Sequence, residues 1–250
     1  MSLRRFGYVL KLMVRENVFQ IDVENKFRFV FVQPTKTIIP FIFVEDYASG
    51  IPLAEHESDP GNDLYLKFLR GSCSFNLSSL NGNSEIFNHS CCLKRKALKI
   101  ISEGPIEVGK TKLHDAALLT ELIVGLEPSV LCHGDLNPLT NVLYNIKNAS
   151  FEVIDFEDSF LACAWFDELF FIYYSGSERW LQLFRVISEN FTDHSDVSDI
   201  LQNCAVWFCV LKLSKVKRRM NGNVIVADLN RRLVIVNDFF YMTEVLRNEI

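Results

Sequence analysis

In His133-Gly134-Asp135 the carboxylate stands six residues before Asn141, with Pro138 between them. A second acidic side chain, Asp155, ends the apolar run Val153-Ile154 and is followed by Phe156-Glu157. One carboxylate to orient an attacking hydroxyl, with one amide oxygen and one more carboxylate to hold a divalent cation, is the set that phosphoryl transfer from Mg-ATP uses. Taken singly, Asp135 and Asn141 read as turn residues beside a proline, and Asp155 as the end of a strand. Their joint occurrence points to a reaction class and leaves the acceptor unnamed.

These groups need a scaffold. The chain has 250 residues, enough for one domain or two small lobes with a real core. Its apolar fraction of 49% and charged fraction of 23% are those of an ordinary globular protein, with 21 Phe. A net charge of −5 gives no basic footprint, so no nucleic-acid partner is expected. Phe27 to Val44 is apolar but broken by Arg28, Pro34, Lys36 and Pro40, so no membrane span is expected there. The start, Met1 to Arg5, lacks the apolar core and cleavage site of a secretion signal. Seven Cys without a CxxC pair give no zinc pattern and fit reduced thiols, so the expected location is cytoplasmic.

The first 47 residues read as strands. Phe27, Phe29 and Phe31 alternate with Arg28, Val30 and Val32, Pro34 to Thr37 turns, and Ile38 to Val44 is β-rich, which predicts a hairpin. Residues 71–93 are rich in Ser, Asn and Gly without a period, which predicts a long loop. Helices are predicted from Leu64, over Asp115 to Leu126, around Trp180 to Ile187, over Ile200 to Val216 and over Leu229 to Arg247, with a short hairpin between Asn141 and Asp155. Strands first and helices later predict an α+β fold.

The run from Leu131 to Asp167 resembles the aminoglycoside phosphotransferase and choline kinase family. It carries His133-Gly134-Asp135, Asn141, Ile154-Asp155-Phe156-Glu157 and then Asp167, twelve residues after Asp155. The resemblance implies a protein-kinase-like fold. A reduced β-rich amino-terminal lobe and hinge would span 1–49, and a larger, mainly helical carboxyl-terminal lobe 50–250. It implies ATP and Mg²⁺ as cofactors and phosphorylation of a hydroxyl on a small molecule such as an amino sugar, a sugar or an amino alcohol. Asp135 would orient the acceptor, Asn141 and Asp155 would ligate magnesium, His133 would brace the loop, and Asp167 would accept backbone hydrogens from it. Lys11 would meet phosphate, and the hinge-like stretch with Phe43, Glu45 and Tyr47 would meet the nucleotide.

Two departures shape these expectations. Kinase catalytic loops place the Asn five residues after the Asp, so one extra residue must bulge here, near Leu139-Thr140. The amino-terminal region is short and lacks a glycine-rich loop, with Gly7 the only glycine before Gly50. A catalytically degenerate, nucleotide-binding or scaffolding module is therefore the second expectation.

A third is a P-loop NTPase. Gly104 to Thr111 satisfies Gly-x4-Gly-Lys-Ser/Thr, with Leu98 to Ile101 as the strand before it and a helix from His114 after it. Glu107 and Val108 sit where small residues let amides curl round phosphate, and a carboxylate beside a triphosphate is unfavourable. Finally, Trp165, Tyr173, Tyr174 and Trp180 have the residue types of a quaternary-ammonium cage, although their helical spacing fits core packing better.

Overall fold

A computed structural model describes residues 27–29, 32–33, 44–45, 50–56, 64–72, 84–103, 116–155, 158–191 and 194–249. The fold is α+β. Strands β1 (Phe27–Phe29), β2 (Val32–Gln33), β3 (Val44–Glu45) and β4 (Ile51–Pro52) precede a 3-10 turn at Leu53–His56. Helices α1 (Leu64–Ser72), α2 (Ser84–Glu103) and α3 (Ala116–Gly125) follow. Then come β5 (Val130–Cys132), β6 (Val142–Asn145), β7 (Ser150–Val153) and β8 (Phe160–Ala162). The chain closes with α4 (Phe166–Tyr174), α5 (Trp180–Ser188), α6 (His194–Ser214) and α7 (Val226–Asn248).

Among the described residues, three small sheets carry the strands. β6 and β7 form the predicted hairpin, with Asn145 Oδ1 accepting the Lys147 and Asn148 N–H groups at its turn. β4 pairs antiparallel with β6, and β1 pairs parallel with β7, giving the order β1-β7-β6-β4. β2 pairs antiparallel with β3, while Phe27–Phe29 joins the sheet of the later hairpin. β5 and β8 form the third sheet.

Gly50 ties the chain to this scaffold. Its N–H donates to the buried Glu152 carboxylate at 3.0 Å, and a Cβ there would meet the Leu143 Cβ at 2.9 Å. Only a glycine lets the backbone approach β6 so closely.

Helix α6 packs against both α2 and α7 around an aromatic core. Phe160, Phe166, Phe170, Trp207, Phe208 and Phe239 are fully buried, and the Phe208 and Phe239 rings stack at 4.0 Å. Each such side chain contributes about 1.5–3 kcal/mol by leaving water. Lys94 donates to the Val124 and Leu126 carbonyls at 3.1 and 2.6 Å, placing a cation on the carboxyl end of α3.

Two expectations are corrected. The predicted loop over 71–93 becomes helical from Ser84, the start of α2. The face that α2 buries there includes Ser90, whose hydroxyl accepts the Leu161 N–H at 2.8 Å, so an apolar period is missing while the helix is still packed. Leu98 to Ile101, predicted as the strand of a P-loop unit, lies in the same helix, with Ile100 and Ile101 buried on the stripe that starts at Leu93 and Ala97.

Candidate active site

The loop between β5 and β6 is pinned from α4. Asp167, in the first turn of that helix, turns its carboxylate back so that Oδ2 accepts the His133 N–H at 2.6 Å and Oδ1 the Gly134 N–H at 3.0 Å. Both bonds are charge-assisted. They hold the chain where Gly134 takes φ +80°, and a Cβ at that position would collide with the Asp158 carbonyl oxygen.

His133 is buried and bridges loop and hairpin. Its Nδ1 accepts the Asp135 N–H at 3.2 Å, which leaves the ring proton on Nε2 to donate to the Ile154 carbonyl at 2.8 Å. The imidazole therefore fixes the distance between the loop and the end of β7.

Asn141 completes the loop. Its Nδ2 donates to the Asp135 carbonyl at 2.8 Å and to Asp135 Oδ2 at 3.0 Å. With the amide nitrogen engaged, Oδ1 is the atom left to face a cation, and Asp135 keeps its other carboxylate oxygen for an acceptor. The extra residue in this loop is absorbed in a tight turn. The Asn137 carbonyl accepts the Thr140, Asn141 and Val142 N–H groups, the Asn137 side chain accepts the Leu139 N–H, and Leu139 and Thr140 stand exposed at the tip. The Ala54 N–H donates to the Pro138 carbonyl at 3.1 Å and ties the same turn to the 3-10 segment.

Asp155 follows a residue held from both sides. The Ile154 N–H donates to the Asn141 carbonyl at 3.0 Å, while its own carbonyl takes the His133 proton. Asp155 then turns into left-handed backbone at φ 62° and is exposed. Such a conformation costs about 1 kcal/mol in an L-residue and is best tolerated by Asp and Asn. Asp135, Asn141 and Asp155, far apart in sequence, thus stand on one hydrogen-bonded frame.

Asp167 and Glu168 place two part-buried carboxyl groups beside the loop. Burial raises the Asp167 carboxyl above its ordinary value, against the pull of His133 and the two N–H donors. Burial, reinforced by the charge of Asp167, lifts Glu168 to about 7. Burial and the same carboxylates push the Cys132 thiol well up, so it stays protonated.

Lys212, on α6, meets aromatic side chains of α4 and of its own helix. Lys212 Nζ donates to Tyr174 Oη at 3.1 Å and faces the rings of Phe170, Phe208 and Tyr174, with centroids at 5.0, 4.8 and 5.4 Å. Burial, helped by Lys215, lowers its ammonium to about 8, while Asp135 acts to raise it. Tyr174 is pushed up by burial, then by Tyr173 and by Asp135. Asp135 is therefore within electrostatic reach of both groups. Lys215 pairs with Asp158, and Arg232 with Asp228. Asp228 also accepts the Lys217 N–H at 2.7 Å, and Arg232 donates to the Lys212 carbonyl at 3.4 Å, so the carboxyl end of α6 is fixed.

Sequence reasoning had not singled out Lys212, because α6 reads as apolar all round. A cation four residues after Phe208, set between Leu211 and Leu213, is the signal that was there. The four aromatics Trp165, Tyr173, Tyr174 and Trp180 pack against the core, as their helical spacing predicts, and Tyr173 adjoins both Tyr174 and Trp180. Trp165 packs on Phe191, and Trp180 lies beside Tyr173 and Tyr241, while Tyr174 serves Lys212.

Lys11, Phe43 and Tyr47 lie outside the described residues, as do Gly104 to Thr111, Phe156 and Glu157, and Glu45 is described only as part of β3. Among the described residues, no group of three or more His, Cys, Asp and Glu side chains is placed to hold a metal ion. Asn141 Oδ1 and the Asp155 carboxylate offer two hard oxygens, the donor chemistry that suits magnesium when phosphate and water supply the rest. Among the same residues, no helix is long and apolar enough to cross a membrane. No protein-family model matches the chain, and no curated protein or solved structure does so either.

Proposed function

We propose that the chain is an ATP-dependent phosphotransferase acting on a hydroxyl of a small molecule. The observation that carries this is the contact of Asn141 Nδ2 with Asp135, which persists despite the longer loop between them. Asp135 accepts the acceptor's hydroxyl proton and places the oxygen for in-line attack. His133 and Asp167 are positioning residues, holding the loop through its backbone. Asn141 and Asp155 would hold magnesium, which would neutralise charge on the phosphate oxygens.

Calorimetric titration with Mg-ATP, followed by ADP release with a panel of hydroxyl compounds, tests the proposal. Metal-dependent binding and acceptor-dependent release that Asp135→Asn abolishes are expected. Release unaffected by Asp135→Asn would sink it.

A second function, a nucleotide-binding or scaffolding module without turnover, draws support from β1. Phe27–Phe29 lies in the sheet of β6 and β7 instead of a separate amino-terminal sheet. Tight Mg-ATP binding with no transfer to any hydroxyl would favour it. A P-loop NTPase is the weakest alternative, because the strand it needs before Gly104 is helix.

A further inference from the structure

We propose that the acceptor carries an anionic group, a carboxylate or phosphate, near its reacting hydroxyl, and that Lys212 receives that group; this rests on the phosphotransferase proposal. Phe170, Tyr174 and Phe208 form the kind of aromatic surround that binds ammonium ligands. Here the chain's own ammonium occupies it, with Lys212 Nζ 4.8 to 5.4 Å from the three ring centroids. A cationic amino alcohol seated beside Tyr174 would meet a like charge.

The partners of the neighbouring cations sharpen the point. Lys215 is paired with the Asp158 carboxylate and Arg232 with Asp228. Lys212 has a neutral phenol, and among the described residues no carboxylate lies within ion-pair distance of it. An ammonium has three N–H donors, and a part-buried one without an anion leaves solvation unreplaced. An incoming carboxylate or phosphate supplies the missing charge and accepts the remaining hydrogens. Asp135 lies within electrostatic reach of both Lys212 and Tyr174. A compound bearing both a hydroxyl and an anion can offer the first to Asp135 and the second to Lys212.

The test uses the full chain loaded with magnesium and a non-hydrolysable ATP analogue, titrated with D-glycerate, glycerol 3-phosphate, glycerol and choline. At least one of the two anions is expected to bind about tenfold or more tighter than glycerol and choline, and their order separates carboxylate from phosphate. Lys212→Gln should remove that preference, and Lys212→Arg, which keeps the charge, should retain part of it. Far-UV circular dichroism checks that both variants fold. Equal affinities across the four compounds, a preference for choline, or an intact anion preference in Lys212→Gln would overturn the assignment. Anion binding without any ADP release from Mg-ATP would strike the phosphotransferase proposal while the anion site stood. ADP release without an anion preference would strike the Lys212 assignment alone.

Discussion

Asn141 gives the two hydrogens of its amide nitrogen to one residue, donating to the carbonyl and to the carboxylate of Asp135 at 2.8 and 3.0 Å. The bond orients the carboxylate that would act on the acceptor and turns the amide oxygen the other way. Asp135→Asn should therefore lower phosphoryl transfer by about 10²–10⁴-fold while Mg-ATP affinity stays within about twofold. ADP release and calorimetry on the same preparation check the pair of values, and a parallel loss of nucleotide binding would count against the assigned role.

Gly134→Ala should destabilise the fold and distort the loop. The residue sits at φ +80°, and the added methyl would run into the backbone oxygen of Asp158, which a side-chain rotation cannot relieve. A cost of about 1–3 kcal/mol is expected, read as a lower urea midpoint. An unchanged midpoint would mean that the loop does not hold this conformation.

Glu168 sets a pH dependence of stability. Its carboxyl is lifted from an ordinary 4.5 to about 7, by burial first and then by Asp167. The folded state thus binds a proton that the unfolded chain releases earlier, and stability contributed by the neutral form is lost as pH rises from 4.5 through about 7. Glu168→Gln should match the wild type below this window and exceed it in melting temperature above it. Parallel melting curves across pH 4 to 8 would contradict the assignment.

Ser90→Ala should cost about 1–3 kcal/mol, because it strips the Leu161 N–H at the β8 end of the site of its acceptor. Chemical denaturation measures the loss. A change within about 0.5 kcal/mol would show that the hydroxyl is dispensable.

Much of the helical part was legible in sequence: α5 carries an apolar stripe with the helical period, and in α7 the buried Leu229, Leu233 and Val236 recur at helical spacing. The β6–β7 hairpin was legible for a related reason, as Asn145 and the polar turn after it separate two apolar runs. The first half of α2 was not, because the packed position at 90 is a serine satisfied by a backbone amide instead of an aliphatic side chain. The partner of β1 could not be read either, since a parallel strand from a remote part of the chain leaves no local spacing. At the site, motif spacing singled out Asp135, Asn141, Asp155 and Asp167. It was silent on Lys212, whose setting comes from Phe170 and Tyr174 on α4 as well as Phe208 on its own helix.

The pairing of Phe27–Phe29 with Phe151–Val153 has a cost during synthesis. More than a hundred residues must leave the ribosome between the two strands, which takes roughly 6–25 s at ordinary elongation rates. For that interval a short strand with two phenylalanines waits for the β7 partner it has among the described residues. Co-translational chaperone capture, and aggregation when translation is slowed downstream of residue 29, are where this topology makes the nascent protein vulnerable.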